Sequence, residues 1–165
     1  MNDSQSVFEG LGHTISNLTI LDSSSSSVGL IGTNDGTIRD IGLVGGSVTG
    51  SAYVGALAGV NKGLIVNASA TGAVSGSDYL GGLVGYNMGG TIVGAHAAGA
   101  VSGLSFVGGL VGSNDAASGA ATIANAYATG AATASVEGAG GLIGENDGDH
   151  DQQRLRHGRC ERRVC

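Results

Sequence analysis

The heptapeptide GGLVGYN (residues 81–87) decides how this chain is read. Taken alone it has the look of a glycine-rich loop that cradles a phosphate. It is not alone: GLIGTN (29–34), GALAGVN (55–61), GGLVGSN (108–114) and GGLIGEN (140–146) repeat its pattern. A binding site occurs once, whereas a unit recurring at near-regular intervals is a building block. A dinucleotide fingerprint also needs a helix directly after it, with its N-terminus facing the phosphates. Downstream of this copy lies GAHAAGAVSG (94–103). Each interior glycine costs a helix about 0.8–1 kcal/mol relative to alanine, so that stretch is no helix.

The copies align position by position. The asparagines Asn34, Asn61, Asn87, Asn114 and Asn146 are spaced by 27, 26, 27 and 32 residues. Two residues before each stands a glycine, and four before each a leucine: Leu30, Leu57, Leu83, Leu110 and Leu142. Ile38, Ile65, Ile92 and Ile123 come next, and then variants of NASATGAVSG (67–76). Each unit thus reads as three short strand-like runs punctuated by glycine or asparagine. A period of about 26 residues is too short for an independent domain but fits one turn of a solenoid. In a parallel β-solenoid the equivalent residues stack at roughly 4.8 Å, so the leucines form one internal ladder and the isoleucines another. Very small residues beside the leucines allow opposite walls to approach. The asparagines suit corners, where they tolerate left-handed backbone, or a stacked side-chain ladder. The reading is an all-β parallel β-solenoid of about five coils. Residues 1–27 form an N-terminal partial coil, 28–148 the repeats and 149–165 a disordered basic tail.

Composition agrees. The chain has 165 residues with 33 glycines, no proline and no tryptophan, and it is 41% hydrophobic. Glycine is about three times its usual ~7% share, yet apolar content is ample for collapse. Residues 1–148 carry ten acidic side chains against Arg39 and Lys62, a formal charge of −8. Such a body excludes nucleic acid as a partner, since affinity for phosphates comes from Lys and Arg. No apolar run approaches the roughly 20 residues of a membrane span, so no membrane insertion is expected. MNDSQSVFEG (1–10) lacks the basic start and apolar core of a signal peptide, so any targeting segment is expected upstream in a longer parent.

These residues resemble the GLUG motif, a glycine-leucine-rich repeat of large bacterial surface proteins, over roughly 8–148. GGLVGYNMGGTIVGAHAAGAVSG (81–103) matches its pattern in register, and FEGLGHTISNLTI (8–20) resembles the segment preceding such repeats in filamentous-haemagglutinin-like adhesins. The resemblance implies a right-handed β-helix, a secreted or surface-held parent and an adhesive role toward a host or environmental glycan or protein. The motif also accompanies unrelated catalytic domains.

Beyond Gly148 the pattern breaks into DHDQQRLRHGRCERRVC (149–165), with five arginines against three acids. Residues 148–162 can be encoded so that a reading frame shifted by one base gives ATMTSSAYATGAVS. That restores the missing second half of the repeat and reads the tail as a frameshift product. Cys160 and Cys165, with His157, are then neither a zinc pair nor a disulfide.

Nothing singles out catalytic, cofactor-binding or metal-binding residues. His96 aligns with Ser69 and Tyr127 in an outward polar slot, and His13 has no ligand-spaced companion. No serine sits in a nucleophile elbow. Asp35 and Asp115 stand just after their asparagines, but Lys62 and Met88 fill the matching positions, which excludes a calcium-binding carboxylate row. Those two aspartates lie three repeats apart, roughly 14 Å at ~4.8 Å per coil, beyond the ~5–9.5 Å that paired glycosidase carboxylates require. The sequons at Asn17 and Asn67 read as accidents of a Ser/Thr-rich repeat, and DSSSSS (22–27) as a flexible loop. Thr37, Thr71, Thr91 and Thr129 form no Thr-x-Thr file for ice or mineral binding. The function expected is a non-catalytic adhesin stalk. The alternative is a repeat region beside an enzyme, or a carbohydrate-active β-helix, for which two carboxylates and aromatic platforms on adjacent coils would speak. Exposed solenoid ends predict end-to-end self-association.

Overall fold

The computed structural model describes residues 6–147, and the tail with its proposed frameshift lies outside the described residues. Every regular element among the described residues is a β-strand, and every pairing is parallel. The chain winds as a β-solenoid of about five coils with three faces. The asparagine face stacks Ile31–Asn34, Ala58–Asn61, Val84–Met88, Val111–Asp115 and Ile143–Asp147. The isoleucine face holds Val7–Ser16, Thr37–Val44, Leu64–Ala70, Thr91–Val93 and Thr122–Ala124, with His96–Ala97 and Tyr127–Ala128 continuing it. The valine face includes Thr19–Asp22, Ser47–Gly50, Ala73–Ser75, Val101–Gly108 and Ala132–Gly140. Residues 7–22 therefore complete two of the three faces beneath the first full coil.

Register turns the sequence period into columns. Ile38, Ile65, Ile92 and Ile123 pair in order, and the first three are fully buried. The leucines lie on a chain of backbone bonds: Leu57 N donates to Leu83 O, Leu83 N to Leu110 O and Leu110 N to Leu142 O, at 2.9–3.0 Å. Leu57, Leu83 and Leu110 are 0% exposed. Val48, Val74 and Val101 fill a third column. Walls do meet through glycine: a Cβ on Gly55 would lie 2.7 Å from both Leu83 O and Gly85 N, so no larger residue fits.

The asparagines take the ladder and not the left-handed corner. None of the five has positive φ. Each Nδ2 donates to the next coil's Oδ1: Asn34 to Asn61 (2.8 Å), Asn61 to Asn87 (2.8 Å), Asn87 to Asn114 (2.7 Å) and Asn114 to Asn146 (2.9 Å). Second donations to Leu64 O, Gly63 O, Gly90 O and Ala121 O tie the amides to the next turn of the chain. A buried amide is costly unless paired, and this column pairs it repeatedly.

Left-handed geometry falls elsewhere, including at Asn17, Gly45 and Gly46 between the isoleucine and valine faces and at two columns that recur in four coils. One lies within the isoleucine face at Asp40, Asn67, Gly94 and Asn125. The other lies on the valine face at Tyr53, Tyr79, Phe106 and Gly138. DSSSSS is a built turn: Asp22 accepts bonds from the backbone N and Oγ of both Ser24 and Ser25. These bonds, Ser24's hydroxyl foremost, hold the Asp22 carboxyl well below the usual range.

Candidate functional site

The residues singled out in the sequence do not converge. His13 is exposed on the first strand, opposite Ile41. His96 occupies the expected column between Ser69 and Tyr127, and its ring stacks on Tyr127 at 5.1 Å and 4°. Asn17 and Asn67 are exposed and left-handed, and Asn67 Nδ2 donates to Asp40 Oδ1 at 3.0 Å. Arg39 pairs with Glu9 across coils.

What the sequence pattern did not reveal is the aromatic corner. Tyr53, Tyr79 and Phe106 stack in three successive coils, with ring centroids 5.2 and 4.9 Å apart. Tyr86, from the asparagine face, packs its ring 5.2 Å from Tyr53 and 5.6 Å from Tyr79. Tyr53, Tyr79 and Phe106 stack face to face, whereas Tyr86 meets Tyr79 edge-on. Val60 and Ser113, which flank Tyr86 in its own outward column, are 6% and 1% exposed. The aromatic cluster therefore seals an outer flank of the rod. Bulky residues at positive φ are strained, by about 1–2 kcal/mol each, and ring stacking offsets part of that cost.

Tyr86 also reaches one coil onward, where its hydroxyl donates to Asp115 Oδ2. Asp115 Oδ1 accepts from Ala117 N at 2.7 Å, so this carboxylate anchors an extra loop at 115–121. The loop and a one-residue register shift in the Ala132–Gly140 strand lengthen this coil to the 32-residue interval between Asn114 and Asn146. Tyr86's hydroxyl holds Asp115 below the ordinary carboxylate range, with Ala117 N adding to the effect. Burial first, and then the Asp115 bond, push the Tyr86 hydroxyl well above its ordinary value. Asp147 pairs in register with Asp115 on the next coil, a far nearer carboxylate partner than Asp35 three repeats away. Both border a cavity of about 670 Å³ with Ala116, Ala117, Gly119 and Ala120. Burial and then the charge of Asp147 raise Glu145 above the usual carboxyl range. Among the described residues no group of three or more His, Cys, Asp or Glu is arranged to hold a metal.

No family model and no solved structure matches the chain. A stretch of 65 residues is 44% identical to halomucin of Haloquadratum walsbyi (strain DSM 16790 / HBSQ001), covering 38% of this chain. The chain spans about 1% of halomucin's length.

Proposed function

We propose that this chain is a non-catalytic stalk segment of a secreted or surface-held bacterial adhesin. The observation carrying this reading is the asparagine ladder, which runs unbroken through all five coils of the asparagine face. Parallel backbone bonding, aliphatic columns and side-chain amides then resist bending together, which suits a rod that holds a binding surface away from a cell. Likeness to a hundredth of a far longer protein supports a repeat module within a large parent. Scattering from tandem copies is the test. Length should grow by about 24 Å per five-coil copy at ~4.8 Å per coil. A globular dependence of size on copy number overturns the stalk.

A second reading, a carbohydrate-active β-helix, draws on Asp115 and Asp147. Adjacent strands lie about 4.8 Å apart, close to the ~5–5.5 Å carboxyl separation of retaining glycosidases. Against it, both oxygens of Asp115 are engaged in holding the loop and Tyr86. Release of reducing ends from a polysaccharide panel, abolished by Asp147→Asn, would favour the enzyme over the rod.

A further inference from the structure

Along the outside of the isoleucine face, register sets Thr14, Gly42, Ser69, His96 and Tyr127 in one column. The column is unevenly filled. Thr14 stands at one end and the stacked His96 and Tyr127 at the other; between them Gly42 has no side chain and Ser69 a short one. The gap is a cavity of about 230 Å³ bordered by Thr14, Asp40, Gly42, Asn67 and Ser69. The slot narrows over Gly42, where a Cβ would lie 2.9 Å from Thr14 Cγ2 and 3.2 Å from Ser69 Oγ, so these two side chains lean in over the glycine. Its side is the left-handed corner, where Asn67 Nδ2 binds Asp40 Oδ1 and fixes amide and carboxylate side by side. One face of the His96 ring lies against Tyr127 in the coil beyond. Register places Ser69 one coil back from His96, on the side away from Tyr127.

Two hydroxyls in the column, with an amide and a carboxylate beside them at the corner, offer donors and acceptors to neighbouring hydroxyls. A ring face one coil beyond suits a flat C–H surface. A pyranose presents both. An anion is disfavoured by Asp40, and a calcium ion seeks several oxygen ligands with more carboxylate charge than one aspartate supplies. We propose that this slot binds a single pyranose unit of a glycan, with Asp40 and Asn67 on vicinal hydroxyls and the outer face of His96 against the sugar ring. The slot gives the adhesive reading a ligand class and rests on that reading only for its biological setting.

Amide NMR on the full chain, titrated separately with D-galactose, D-mannose, N-acetylglucosamine and the open-chain polyol sorbitol, tests it. At least one sugar should shift Gly42, Asn67, Ser69 and His96, with affinity on the order of millimolar for so small a ligand. Sorbitol should not. Asp40→Asn, which keeps a residue tolerant of left-handed backbone, should weaken binding about tenfold by removing a charged acceptor. His96→Ala should weaken it as well while leaving the fold's other resonances in place. Silence at these four positions with every sugar, equal shifts with sorbitol, or unchanged affinity in Asp40→Asn overturns the slot. Beads coated with the chain report separately on the adhesive reading: sugar binding in solution without attachment to any glycan surface would sink adhesion and leave the slot standing.

Discussion

Two side-chain columns run along this rod, and they behave as opposites. The asparagine column is internal up to its exposed last member, Asn146, the same residue in every coil and directional, each amide donating a hydrogen bond to the next. The aromatic column is peripheral, spans Tyr53, Tyr79 and Phe106, and ends at Gly138, where the strand pairing continues past a one-residue register shift. A buried polar chain cannot skip a member, because the two neighbours lose a donor and an acceptor that water cannot replace. A stack on the outside can stop anywhere, since its last ring simply meets solvent. Strictness of repetition therefore measures the cost of interruption.

The largest effect should come from breaking the inner column. Asn87→Leu removes the acceptor of Asn61 Nδ2 and the donor to both Asn114 Oδ1 and Gly90 O. With each orphaned buried group costing about 1–3 kcal/mol, destabilisation of about 3–5 kcal/mol is expected. The urea midpoint measures it. Asn34→Leu, at the ladder's end, also removes three hydrogen bonds, to Asn61 Oδ1 and Leu64 O and from Gly36 N, but it leaves the rest of the ladder joined and should cost less. Equal losses at both positions would mean that the ladder does not act as a chain.

Much of the inner column was legible in the sequence. Leucine, isoleucine and asparagine recur because a parallel stack places the same residue in the same environment each lap, so period alone predicts the columns. The sequence left open which of two roles asparagine takes, since it serves equally as a left-handed corner and as a ladder amide. Burial settled the matter: Asn34, Asn61 and Asn87 are 0% exposed. The aromatic corner was hidden for a different reason. Counting four residues back from Leu57, Leu83, Leu110 and Leu142 yields Tyr53, Tyr79, Phe106 and Gly138. Nothing in tyrosine or phenylalanine announces positive φ, because such residues avoid it. Only the glycine in the fourth coil hinted at the backbone demand. Asp147 was within reach, since it stands after Asn146 as Asp115 stands after Asn114. The polar slot was not, because it depends on which outward positions are empty.

A middle-sized effect separates stacking from strain in the outer column. Tyr79 sits at φ 56° between Tyr53 and Phe106. Tyr79→Ala loses the ring contacts, each worth about 0.5–1.5 kcal/mol beyond area burial, but keeps a β-carbon in the left-handed region. Tyr79→Gly loses the same contacts and relieves the backbone, so it should be more stable than the alanine variant by about 1 kcal/mol. In an ordinary strand the order would be reversed. A glycine variant no more stable than the alanine variant would show that the corner's geometry is imposed by the rings themselves.

The smallest effect concerns the junction of the two columns, where Tyr86 meets Asp115. The Asp115 carboxyl is held below its ordinary value in the folded chain. Its stabilising contribution is therefore present above the unfolded value, about 3.9, and is lost as pH falls through the lower folded value. Glu145 is raised and works with the opposite sign: acidification relieves a burial cost that its charged form bears at neutral pH. Asp115→Asn should therefore lower the urea midpoint slightly at pH 6 and narrow its gap to the unmodified chain at pH 2.5. Exposure of the loop and screening by salt keep this effect small. A gap that widens on acidification would mean that Asp115 holds the 115–121 loop by its shape and hydrogen bonds alone, with no part played by its charge.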